Sequence, residues 1–139
     1  MLMNKNVIKR TSLMVGDWVE FETMTSNFLY GKVEEIGKDC ITVDTVNAVE
    51  DVPFEKVGQI IATPDILRKN GFENCDVRLY RNSSDLHLRL GDYTIRWYAY
   101  VNHEAYVKGD YLATFSFVHE LQHILRVMGY NSLADNFKI

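Results

Sequence analysis

Apolar and polar positions alternate with a period of two along most of the first half of the chain. Gly16-Asp17-Trp18-Val19-Glu20-Phe21-Glu22 sets apolar against acidic side chains after a glycine, the pattern of a half-buried strand. A polar loop from Thr23 to Asn27 leads into a second strand, Leu29 to Ile36, with Val33 and Ile36 as its β-branched positions. Gly37-Lys38-Asp39 is a turn signal, and Cys40-Ile41-Thr42-Val43-Asp44 a compact third strand. Val49 to Val52 ends at Pro53, whose missing N–H stops ladder pairing. Phe54-Glu55-Lys56-Val57 is short enough for one 3₁₀ turn, and Gln59 to Ala62 forms a fifth strand. Five short strands with a turn before the last predict a small SH3-like β-barrel over 1–62. Barrels of this kind bind between their loops more often than they catalyse, although fold alone does not license a function.

At Thr63-Pro64-Asp65 the pattern changes to that of a helix start: an N-cap, a first-turn proline and an acid at the positive end of the dipole. A helix of about two turns follows, with Ile66 and Leu67 facing inward and Gly71 as its left-handed stop. Val77 to Tyr80, Leu86 to Leu90 and Tyr93 to Val101 alternate as an antiparallel meander. Asn82-Ser83-Ser84-Asp85 and Gly91-Asp92 connect these strands, and Ala105-Tyr106-Val107 precedes a turn at Lys108-Gly109-Asp110. A helix from about Phe115 to Met128 ends at Gly129, and Leu133, Phe137 and Ile139 of the tail cover the core. The expected class is α+β: the barrel at 1–62, then an α+β domain at 63–139 of helix, meander and C-terminal helix.

The chain has 139 residues, 47% of them hydrophobic, enough for one domain or two small ones. Fifteen Lys and Arg against 19 Asp and Glu give a net charge of −4, which removes any global reason to bind nucleic acid. The short basic arm of Lys5, Lys9 and Arg10 does not change that balance. Cys40 and Cys75 form no C-x-x-C pair and read as two buried thiols in a reducing cytoplasm. No signal peptide or membrane-length apolar run is visible, so the expected location is cytoplasmic.

His119-Glu120-Leu121-Gln122-His123 spells the H-E-x-x-H pattern of zinc peptidases. There, two histidines one turn apart hold a metal whose bound water the glutamate polarises. Plotted at roughly 100° per residue, Phe117, Leu121, Ile124, Leu125 and Met128 form the buried side of the helix. His119, Gln122, His123 and Arg126 fall together on the opposite side, the one assigned to solvent or a partner. A catalytic zinc needs a third protein ligand. The metzincin position holds Gly129 instead, and only 16 residues follow His123, too few for a distant glutamate. Asp135, His87, His103 and Glu104 are the remaining donors, none at diagnostic spacing. The cation of Arg126 also opposes a divalent metal. Trp18, Trp97, Tyr93, Tyr98, Tyr100 and Tyr106 could stack bases, or simply pack a core. Ser83-Ser84-Asp85 near His87 reads as a turn rather than a nucleophile set.

Thr63-Pro64-Asp65-Ile66-Leu67-Arg68-Lys69-Asn70-Gly71-Phe72-Glu73, followed by Phe117-Val118-His119-Glu120-Leu121-Gln122-His123 and Gly129, resembles a family of small uncharacterised proteins. They are frequent in gut Bacteroidales genomes, their phages and other mobile elements, and the resemblance covers about residues 13–139. The family pattern in the helix is V-H-x-L-Q, carried here by Val118, His119, Leu121 and Gln122. The resemblance implies a phage or mobile-element setting, with no activity to carry over and the zinc-peptidase spelling incidental. The expected function is thus a non-catalytic module that binds another protein through His119, Gln122, His123 and Arg126, without a cofactor. The first alternative is a zinc-dependent hydrolase, with His119 and His123 as ligands and Glu120 as general base. A weak nucleic-acid binder is the second.

Overall fold

The structure, a computed structural model, describes residues 8, 10–75, 86–98 and 102–139. The chain divides into two compact units, 1–60 and 61–139. The architecture is α+β, with one antiparallel five-stranded sheet in each unit and, among the described residues, the α-helices in the second. The expected strand at Val77 to Tyr80, the Asn82–Asp85 connection and Tyr100 lie outside the described residues.

In the first unit β1 (Trp18–Glu22), β2 (Phe28–Ile36), β3 (Cys40–Asp44), β4 (Val49–Pro53) and β5 (Val57–Gly58) lie in the order β4-β3-β2-β1-β5. A 3₁₀ turn at Phe54–Lys56 separates the last two. Alternation buries Val19, Phe21, Val33, Ile41, Val43, Val52 and Val57 around one core, joined by Ile8 and Leu13. Asp17, itself buried, accepts the Met14 N–H at 2.8 Å and so shapes the turn into β1. The sheet is open rather than a closed barrel: β5 is two residues long and, among the described strands, pairs with β1 alone, its Val57 O also accepting the Ile8 N–H at 3.2 Å. The fifth strand also falls earlier than the expected Gln59–Ala62. Ile61 instead bridges to Phe117, and Ala62 N–H donates to Ser116 O at 3.1 Å, so this segment belongs to the second unit.

The second unit opens with α1 (Pro64–Lys69), capped where Thr63 Oγ1 accepts the Ile66 N–H at 3.2 Å. Leu67 is buried, Ile66 half-buried, and Gly71 has φ +94°. Strands β6 (Glu73–Asn74), β7 (Leu86–Leu90), β8 (Tyr93–Trp97), β9 (His103–Val107) and β10 (Asp110–Phe115) form an up-and-down meander in sequence order. Lys108 and Gly109, both at positive φ, make the two-residue turn between β9 and β10. The segment Asp110–Phe115, expected partly as turn and partly as helix, is a full strand because β9 supplies a ladder partner. The helix α2 therefore runs only from Val118 to Val127. After Gly129, at φ +89°, the tail forms α3 (Asn131–Asp135). Asn70 fastens the end of the chain: its Nδ2 donates to Ile66 O and Lys138 O, while its Oδ1 accepts the Lys138 N–H at 2.8 Å.

Candidate functional site

The α2 motif is built into the second unit. His119 is 2% exposed and Gln122 fully buried, so the solvent-facing surface expected from the helix wheel does not exist at these two positions. Gln122 Nε2 donates to Ala134 O of α3 at 3.0 Å, and Arg126 Nη2 lies 3.6 Å from Asp135 Oδ1. The wheel assumes a single buried stripe, but α2 packs on β10 and also on α3. Its most exposed residue is apolar Val127, at 80%. His123 and Arg126 are half-buried.

Glu120 acts on the backbone beside it. Its Oε1 accepts the N–H groups of Ser116 and Phe117, at 3.0 and 3.1 Å. This is the carboxylate half of a capping box, and it satisfies backbone donors at the helix start. The rings of His119 and His123 stand 5.6 Å apart at 82°. Two imidazoles that each reach a shared ion over a bond of about 2 Å have centroids at about this separation. Among the described residues no group of three His, Cys, Asp or Glu is placed to hold an ion, and the carboxylate needed as base is engaged at the cap.

The other proposed ligands are dispersed. Asp135 faces Arg126. Glu104 Oε1 accepts hydrogen bonds from both Tyr98 Oη and Tyr106 Oη at 2.8 Å, which raises the Tyr106 phenol above its usual pKa. His103 is stacked on Trp97, with centroids 3.4 Å apart, and tilted against Phe115. His87 is buried on β7. Cys40 and Cys75 are free thiols, half-buried rather than buried. The Ser83-Ser84-Asp85 segment lies outside the described residues.

Among the described residues, exposed large apolar side chains concentrate elsewhere, in the first unit: Met14, Val15, Met24, Phe28, Leu29, Tyr30, Val46 and Val49. Phe28, Leu29 and Tyr30, exposed at 43%, 44% and 53%, occupy the start of β2, which β3 reaches only from Lys32 onward. Thr23 N–H donates to Asn27 O at 2.7 Å, so by alternation the next hydrogen-bonded pair is Phe21–Leu29. Phe28 and Tyr30 thus aim their backbone N–H and C=O away from β1, with no ladder partner there among the described residues. Sequence reading passed over this surface, although three consecutive large apolar residues break the two-residue alternation and force at least one outward.

Comparison with known protein families, curated proteins and solved structures finds no match to this chain. Many residues behind the family resemblance serve the second unit itself: Thr63 caps α1, Asn70 holds the tail, and Gln122 ties α2 to α3.

Proposed function

We propose that this protein is a non-catalytic interaction module whose binding surface for another protein lies on the first unit, at the start of β2. The supporting observation is the Phe28–Tyr30 segment, apolar on both faces and open along one backbone edge. An exposed strand edge is a template for strand addition, where main-chain hydrogen bonds give affinity and alternate side chains give specificity. Clustered exposed apolar surface beside it is what an interface buries. The strand order and the 3₁₀ turn before β5 are compatible with an SH3-like arrangement, which belongs to this proposal. So do a cytoplasmic location, consistent with two free thiols, and the phage or mobile-element setting that the resemblance implies. No described helix is long and apolar enough to cross a membrane.

The test is selection of displayed 12-residue peptides against the full chain, followed by hydrogen exchange with a selected synthetic peptide. Protection should appear at the amides of Phe28 and Tyr30. Selected peptides that bind while leaving both amides unchanged would remove this reading.

A further inference from the structure

We propose that the cleft bounded by β1 and β4 is a docking groove for an extended protein segment bearing lysine or arginine at alternate positions. This rests on the reading of the first unit as a protein-binding surface, and it names the chemistry of the partner. The cleft has a volume of about 450 Å³, within the range of ligand sites. Phe21, Val52 and Pro53 contribute apolar lining, while Glu22, Glu50 and Asp51 contribute three carboxylates against the one ammonium of Lys56.

Charge across the chain favours the same partner. Residues 1–60 contain six Lys and Arg against ten Asp and Glu, whereas 61–139 contain nine of each. The whole net charge of −4 therefore sits on the first unit. That excess attracts a basic segment and repels both a phosphate backbone and a second copy of the same unit.

Backbone geometry supplies the remaining requirement. Strand β4 ends the sheet order, and Thr45 N–H donates to Ala48 O at 2.8 Å, which makes Val43–Glu50 the next hydrogen-bonded pair. Val49 and Asp51 therefore present their N–H and C=O groups outward, along the strand that forms one wall of the cleft. A segment pairing there places every second side chain on the same face. Glu50 and Asp51 are consecutive and point to opposite faces, so the alternating cations meet one of the two and the other adds to the negative field around the edge.

The experiment titrates three synthetic octapeptides into the isotopically labelled full chain and follows backbone amide signals. The peptides alternate Val with Lys, Val with Gln, and Val with Glu. The Val–Lys peptide should shift Glu22, Val49 and Asp51 and bind at least tenfold more tightly than the Val–Gln peptide. That preference should shrink with added salt. Glu50→Gln alone, at an exposed position, should weaken it measurably, and Glu22→Gln, Glu50→Gln and Asp51→Asn together at least tenfold. An unchanged Trp18 side-chain N–H signal in the same spectra would show that the first unit is still folded. Equal affinity for Val–Lys and Val–Gln, indifference to the three substitutions, or no shift up to millimolar peptide would overturn the inference. Shifts confined to Phe28 and Tyr30 would also overturn it while leaving the wider protein-binding reading in place.

Discussion

His103 lies against Trp97 and Phe115, with Nδ1 accepting the Tyr98 N–H at 3.1 Å. An acceptor at Nδ1 puts the proton of the neutral ring on Nε2, which has no hydrogen-bond partner among the described residues. Burial penalises the imidazolium and lowers its pKa from 6.5 to about 4. The unfolded chain takes up this proton near pH 6.5 and the folded one only near pH 4. Between those values the unfolded state binds more protons, so stability falls as pH falls. In a proton NMR titration the His103 ring should stay neutral at pH 5, and a midpoint at or above 6.5 would contradict its burial. None of this was legible in the sequence, because a histidine in an alternating strand carries no mark of the ring that stacks on it. The capping role of Glu120 depends on where the helix starts: Ser116 and Phe117 stand four and three residues before it, and only a start at Val118 rather than Phe115 makes it the third helical residue.

At the scale of elements, alternation located the first four strands of the first unit, and turn residues located α1, β7, β8 and β9. The errors occurred where a neighbour distant in sequence decides the outcome. Asp110–Phe115 became a strand because β9 lies beside it, and Gln122 is buried where α3 packs on α2. A helix wheel knows nothing of a second covering element. Gly31 is a case of the opposite kind, where the need for glycine is visible only in three dimensions. A Cβ there would collide with the Val43 side chain and stand 2.9 Å from Asp44 O, at the point where β3 begins to pair with β2. Gly31→Ala should therefore destabilise the first unit by about 1–3 kcal/mol, the usual range for overpacking. Urea unfolding in a Trp97→Phe background, where Trp18 alone emits, checks it, and an unchanged midpoint would show that the two strands do not approach this closely.

For the whole molecule, charge and packing divide the labour between the units. The first holds the net negative charge, the cleft between β1 and β4 and, among the described residues, most of the exposed large apolar side chains; the second holds the motif that first suggested catalysis. The charge division could be counted from the sequence once the boundary was known, but the exposed surface could not, since exposure depends on where β3 stops. His119 and Gln122 of α2 are buried within the second unit rather than displayed on its surface. Gln122 tests this burial most directly, because Gln122→Ala removes the donor to Ala134 O inside the unit. Each unit contains one tryptophan, so in a Trp18→Phe background Trp97 alone reports unfolding of the second unit. The account predicts that Gln122→Ala lowers that unit's unfolding free energy by about 1–3 kcal/mol, the cost of losing a buried amide side chain and its hydrogen bond to Ala134 O. A change within about 0.5 kcal/mol, as expected of a surface substitution, would contradict it.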